Sequence, residues 1–594
     1  MQTTTPRAAR MLRPASIASF LTVLAVVSSE AGAADAAFSD GTAESGLVAT
    51  HATAGFVQMQ YAGGGAIGDF NNDGWQDVFF ISGGSGNKPD RLFLNNGDGT
   101  FTDRAAEWGL TAIHKGKSAC VGDFDNDGWL DLYVTSAGPV GQNAAPGHHK
   151  LYRNQGGTGF VNVAASAGVA FADPTADSAW TATFGDYDLD GDLDLFVGGF
   201  AGTPSNTEHR LFRNNGDGTF TNVTTTVGLF AGVGPVAALS ARFVDVDDDL
   251  YPELLVGGDF KATGSYVGSR YFKNDRDGTF TDMTNGNGTG HEENGMGQTI
   301  LDVDNDQRLD WYVTSIYWPD VNWTGNKLYR NLGAHAFVET SAMANVFDGG
   351  YGWGTVGVDV DHDGFEDLAE TSGDASPGSP FYATPARLWI NDGDGTFTER
   401  AAASGFIHSL KGRSLLRVDV DNDGDQDILI FRYAGALTLL RNDLVHDATT
   451  SWVRVFLDTA GRAGLAPNGF GAKVYVTAGG VTRMRAIDGG VSFLGTSELS
   501  AHVGLGDATV IDEILVRWPD GTTTSRTNVA INQTLTIAPD VACAADLDGD
   551  GAVGPTDLGA LLGAWGSGGN ADLDANGTVD PSDLAILLGA WGDC

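Results

Sequence analysis

The chain has 594 residues, with 76 Asp and Glu against 34 Lys and Arg and a net charge of −42. So acidic a chain is a poor partner for nucleic acid or an anionic membrane surface, and its length calls for several domains with ample core. The 84 glycines fall in turns and acidic loops, which excludes a low-complexity linker protein.

Residues 1–34 carry Arg7, Arg10 and Arg13, an apolar run from Ile17 to Val27, and then Ala31-Gly-Ala33-Ala34. This is the pattern of a secretory signal peptide cut after Ala33 or Ala34. The apolar run is too short to span a bilayer, and no other stretch reaches spanning length. The expected product is secreted, extracellular or cell-surface associated, with no membrane span in the mature chain.

Residues 35–443 are organised by one repeat. Its fullest copy is Asp123-Phe-Asp125-Asn-Asp127-Gly128-Trp129-Leu-Asp131, followed by Leu-Tyr-Val-Thr. Carboxylates at positions 1, 3, 5 and 9, with the Trp129 carbonyl at 7, give oxygen-only ligation suited to calcium, and Gly128 permits the sharp turn. An EF-hand would place its last acid at position 12 and enter a helix. Here a β-branched, aromatic run follows position 9, so the loop sits in a β-hairpin. The other copies offer Asp69, Asn71, Asp73, Trp75 and Asp77; Asp186, Asp188, Asp190, Asp192 and Asp194; Asp245, Asp247, Asp249, Tyr251 and Glu253; Asp302, Asp304, Asp306, Arg308 and Asp310; Asp359, Asp361, Asp363, Phe365 and Asp367; and Asp419, Asp421, Asp423, Asp425 and Asp427. Asp192 and Asp425 add an acid at position 7. Leu250 and Gln307 replace the glycine, which makes the loops starting at Asp245 and Asp302 the weakest matches.

Starts 54 to 63 residues apart mean an array with several strands per repeat. In phase with the loops run hairpins such as Leu92-FLNNGDGTFT and Leu211-FRNNGDGTFT, a strand, a Gly/Asp turn and a returning strand. Each repeat therefore holds four short strands. The seventh lacks its last strand, and Phe38-Ser-Asp40-Gly-Thr-Ala-Glu44 echoes Phe101-Thr-Asp103-Arg-Ala-Ala-Glu107. The N-terminal strand is thus expected to complete the seventh sheet and remove an exposed edge.

These loops and hairpins resemble FG-GAP (VCBS) repeats, as in integrin α-subunit propellers and the cartilage acidic protein family. The resemblance implies a mainly β fold: a seven-bladed β-propeller with calcium loops, used for adhesion or partner binding. Loops and GDGTFT turns join strands in the same sense and so share one face. The longer connections build the other, where Tyr317, Trp318, Trp323 and Trp353 can bind an unknown protein or glycan ligand or pack inside the ring.

Residues 450–540 read as a small β-sandwich, with period-2 runs broken by Gly. Arg517-Trp-Pro-Asp-Gly and Gly489-Gly-Val-Ser492-Phe resemble the ASPIC/UnbV domain that follows such propellers. Lys473, Arg483 and Arg485 are either anion contacts or surface charge.

Residues 543–594 hold two EF-hand-type loops entering helices. The first offers Asp546, Asp548, Asp550, the Ala552 carbonyl and Asp557; the second offers Asp572, Asp574, Asn576, Thr578, Asp580 and Asp583. The duplicated loop–helix resembles a dockerin, the α-helical EF-hand pair that plugs into cohesins. The resemblance implies a cohesin-like partner recognised through Pro555, Thr556, Pro581 and Ser582, and brings the expected calcium count to as many as nine. In an exported chain, a disulfide between Cys543 and Cys594 is the economical reading, leaving Cys120 as a buried thiol.

The 11 histidines show no HExxH, no Ser sits in a GxSxG elbow, and no pair of isolated acids stands apart from loop spacing. No catalytic residue is assigned, and the chain reads as a non-enzymatic binding protein. The rival reading is a carbohydrate-binding or glycoside-hydrolysing subunit of a polysaccharide-degrading assembly. A third is a surface protein whose tail only folds against its own domain.

Overall fold

The computed structural model describes residues 36–51, 62–83, 88–139, 148–170, 179–200, 209–409, 411–540, 545–548, 552–574 and 576–593. The leader at 1–34, Asp550, and the Cys543 and Cys594 of the expected disulfide lie outside the described residues. None of the described helices is long and apolar enough to cross a membrane.

Among the described residues, seven sheets follow one plan of four antiparallel strands, in sequence order in six of them. In the second, His114–Gly122, Asp131–Pro139, Lys150–Asn154 and Phe160–Asn162 pair in turn, with Gly122 opposite Asp131 across the acidic loop and Asn154 opposite Phe160 across the hairpin turn. The innermost strand is buried along its length; the fourth is three residues, with Phe160 buried and Val161 and Asn162 exposed. The last sheet takes its outer strand from the N-terminus. Phe38–Asp40 pairs with Thr438–Asn442, Phe38 opposite Asn442.

Innermost strands adjoin at six of the seven steps from sheet to sheet, and Gly412–Val418 returns to Gly65–Gly68. A side-chain latch repeats with them. Asn154 sends Nδ2 to the Phe70 carbonyl of the preceding sheet at 2.8 Å. Asn214, Asn274, Asn331, Asn391 and Asn442 do the same to Phe124, Tyr187, Val246, Val303 and Val360. Asn95 reaches Val420 of the seventh sheet at 2.8 Å, so the succession closes on itself. Each latch is buried, where a lost partner is costly.

The β domain has two sheets over one core containing Val453, Val474, Val503, Ile514 and Trp518. Ala501–Gly506, Ser451–Leu457 and Gln533–Ile537 form one; Val481–Ala486, Lys473–Ala478, Ile511–Arg517 and Thr523–Val529 form the other. A segment between them leaves the domain. Gly495–Thr496 adds a parallel strand to Gly65–Gly68, Ala119 N–H donates to the Leu494 carbonyl, Gln298 N–H to Ser492, and Val491 N–H to Ala241. Phe493 and Leu494 are fully buried among Trp180, Leu239, Met296 and Trp353. The innermost strands thus share a core supplied by the β domain.

Candidate metal centres and docking surfaces

Five of the seven acidic loops are built the same way, and those starting at Asp359 and Asp419 lack only the Oδ1 bond of the first position. Asp123 Oδ1 and Oδ2 accept from the amides of Asp127 and Gly128 at 3.1 and 2.8 Å, and Asp127 Oδ1 accepts from Trp129 N–H at 3.1 Å. Asp131 joins the loop to the third strand, its oxygens accepting from Asn154 and Phe124 N–H at 2.7 and 3.1 Å. The sixth position needs a left-handed backbone: Gly128 has φ 87°, and Leu250 and Gln307 are forced to 82° and 65°, a costly conformation for L side chains.

One carboxylate oxygen from each of Asp123, Asp125 and Asp127 lies within 4.8 Å of the others, as in Asp186, Asp188 and Asp194, and in Asp302, Asp304 and Asp306. Asp125 Oδ1, Asp188 Oδ1 and Asp361 Oδ1 are buried without a hydrogen-bond partner. Burial, with the neighbouring carboxylates, pushes Asp123 up to about 6, Asp186 to about 7 and Asp361 to about 8. Converging, unsatisfied, destabilised oxygens are the donor set of a hard divalent cation.

The two position-7 acids bond beyond their own loops. Asp425 turns out of its loop, Oδ2 accepting from Leu444 N–H at 3.1 Å and Oδ1 facing His446 Nε2 at 2.8 Å. Asp192 Oδ1 accepts from Asn126 Nδ2 of the preceding loop at 2.7 Å. Both position-7 side chains tie neighbouring segments together.

The basic residues of the β domain are neither surface charge nor an anion site. Lys473, Arg483 and Arg485 are buried, and each faces a carboxylate. Lys473 and Arg517 stand 3.3 and 3.2 Å from Asp245, Arg485 stands 3.6 Å from Glu366, and Arg483 lowers the cost of charge on Asp359 and Asp363. Arg454, missed in the sequence, bridges Asp419 at 3.1 Å and Glu498 at 2.6 Å, all three buried. Only their basic character marked these residues in the sequence, because their partners lie tens to hundreds of positions away.

On the longer connections, Tyr317–Trp318 pairs with Trp323–Thr324. Trp318 meets Trp323 edge-on at 5.8 Å and Phe381 at 5.5 Å, and all four rings from Tyr317 to Phe381 are half-buried. Trp353 does not join this surface. It is fully buried, stacked on Tyr351, under the Arg413 guanidinium, with its N–H on the Gly373 carbonyl.

In the tail, Pro555–Gly563 and Pro581–Gly589 are helices. The side chains of Asp557 and Asp583 fold each loop onto its helix. Asp583 Oδ1 accepts from Leu573 and Asp574 N–H at 2.6 and 3.0 Å, and Oδ2 from Asp580 N–H at 2.7 Å. Asp572 takes the amides of Asn576 and Gly577 at 3.1 and 2.7 Å, the same turn as in the repeat loops. Pro555, Thr556, Pro581 and Ser582 are exposed at the helix starts, and Leu562, Trp565, Leu588 and Trp591 are about half exposed.

This architecture is similar to that of FG-GAP-like repeat proteins carrying an ASPIC and UnbV domain. The FG-GAP-like repeat model matches residues 69–134 and the ASPIC and UnbV model residues 463–543. Cartilage acidic protein 1 of Homo sapiens is 31% identical over 164 residues, 27% of this chain and 22% of that protein. Its Xenopus tropicalis counterpart is 24% identical over 333 residues, 53% of this chain and 45% of that one. The chain thus spans less than half the length of these curated relatives. Among solved structures, an Agrocybe aegerita lectin that recognises non-reducing terminal N-acetylglucosamine aligns at TM-score 0.34 and 15% identity, over 64% of this chain and 90% of that one. BBS1N in complex with ARL6DN aligns at 0.38 and 12%, over 66% and 93%.

Proposed function

We propose that the protein is an exported, calcium-loaded interaction module. Its seven sheets are the blades of a propeller, the acidic loops take calcium, and the β domain plugs the channel. The observation that carries this reading is the seating of Lys473, Arg485, Arg454 and Arg517 on the loop side. It commits that face to holding the molecule together and leaves the aromatic connections for a partner. Half-exposed Trp318 and Trp323 in a rigid ladder suit a sugar ring or an apolar protein side chain at low entropic cost. The tail, with paired exposed helix starts and exposed Leu562, Trp565 and Trp591, is the attachment point to a cohesin-like protein. The cation would be held in the repeats by positions 1, 3, 5 and 9 and the position-7 carbonyl, supplying fixed positive charge between neighbouring carboxylates.

Two assays on the full chain test the halves separately. Binding to a glycan panel and to candidate extracellular proteins is measured for the wild type and for W318A/W323A, with loss of at least about tenfold expected in the double variant. Unchanged binding removes the aromatic face. Capture by a panel of cohesin domains is measured with calcium and with chelator, and capture that ignores calcium, or none, removes the attachment role. Release of reducing sugar from any bound glycan would move the reading to the carbohydrate-cleaving alternative.

A further inference from the structure

Two departures from the repeat meet in one place. The loop starting at Asp245 has Leu250 for glycine and Glu253 at position 9. The hairpin turn of the next sheet, Gly333-Ala334-His335-Ala336, places His335 where the other turns place Gly99, Gly218, Gly278 and Gly395. That turn site abuts the third position of the preceding loop: a Cβ added at Gly99 would stand 3.5 Å from the Asp421 Cβ. His335 keeps the positive φ of the glycine it replaces, at 60°, and its Nε2 lies 3.0 Å from Asp247.

The charges around this loop are divided. Arg276 pairs with Asp249 at 2.5 Å, Arg517 with Asp245, and Lys473 with Asp245 and Asp248. Asp247 and Glu253 have no Lys or Arg partner among the described ion pairs. Glu253 is fully buried; Oε2 accepts from Val246 N–H at 3.1 Å, while Glu253 Oε1 and Asp247 Oδ1 have no hydrogen-bond partner. One ligand atom each from Asp247, Glu253 and His335 lies within 4.8 Å of the other two. The Tyr271 hydroxyl stands 2.8 Å from His335 Nδ1.

We infer that Asp247, Glu253 and His335 form a site for a borderline divalent transition metal of the zinc class. Two carboxylates and an imidazole are a donor set such ions accept and calcium does not need. With the metal on Nε2, Nδ1 carries the ring's proton and donates to the Tyr271 oxygen, which fixes the ring as an outer-shell partner does. Tyr271 is a positioning residue. The site stands whether or not the other loops take calcium.

The full chain, stripped with chelator and returned to millimolar calcium, is titrated with Zn²⁺ by calorimetry and with Co²⁺ by visible absorption. One tight equivalent is expected, with cobalt bands that report a nitrogen ligand. His335→Gly restores the glycine of the other turns, so it is expected to fold and to melt like the wild type in calcium. It loses the cobalt bands and binds zinc more than about tenfold more weakly. Tyr271→Phe keeps the stoichiometry with affinity reduced about tenfold. No zinc retained by the wild type in excess calcium, or equal affinity and spectra in His335→Gly, would overturn the site and leave His335–Asp247 an ion pair.

Discussion

The asparagine that ends each third strand does more than its place in a turn indicates. Asn154 donates to the Phe70 and Leu130 carbonyls at 2.8 and 3.1 Å and accepts from Gly157 N–H at 2.9 Å. Asn154→Ala leaves two buried carbonyls without donors, and denaturant melts should show a loss of about 2–3 kcal/mol. A loss below about 0.5 kcal/mol would mean that water replaces the latch. The letter was legible, as the Asn that closes Leu-Tyr-Arg-Asn, Leu-Phe-Arg-Asn and their counterparts, but its role was not, because the accepting carbonyl lies 84 residues back. Loop acids, by contrast, were readable because their spacing and the turn bonds of positions 1 and 5 lie within nine residues. What spacing does not show is the set of distant partners, Asn126 for Asp192 and His446 for Asp425 among them.

At the scale of elements, strands and hairpin turns were legible because period and turn chemistry are local. The segment from Gly489 to Glu498 was not. It carries β-domain sequence yet bonds to innermost strands from Gly65–Gly68 to Gly412–Val418, contacts no periodicity encodes. Phe493→Ala empties a site walled by Trp353, at 5.1 Å ring to ring, and should cost about 3–5 kcal/mol. Arg454→Met tests the second anchor. It leaves Asp419 and Glu498 buried without their cation, and removing one partner of a buried pair costs about 3–5 kcal/mol. If either variant melts within a degree or two of the wild type, the β domain is an appendage, not a part of the core. Trp353 failed as a surface residue for the same reason: the sequence shows a tryptophan on a connection, and only the chain returning from the β domain shows what covers it.

At the scale of the molecule, the many buried carboxylates make stability a function of pH and cation together. Burial raises the folded values to about 6 for Asp123 and Asp188, and about 7 for Asp186, Asp302 and Asp419, against 3.8 for a free Asp. A carboxyl raised on folding binds its proton more tightly in the native state. Without cations, stability therefore rises as pH falls from about 8 towards 4 and is lost as pH climbs through the folded values. With calcium the sign inverts, because the ion needs those groups deprotonated and proton competition weakens it as pH falls. Tenfold excess over the dissociation constant contributes about 1.4 kcal/mol per site, so the six loops other than that starting at Asp245 together shift the melting temperature on the order of 10 °C for a chain of this size. Melting scans from pH 5 to 8, with chelator and with millimolar calcium, should give slopes of opposite sign and the widest gap at pH 8. Parallel slopes would show that the loops hold no ion, and that their carboxylates are kept by the amide bonds of the turns alone.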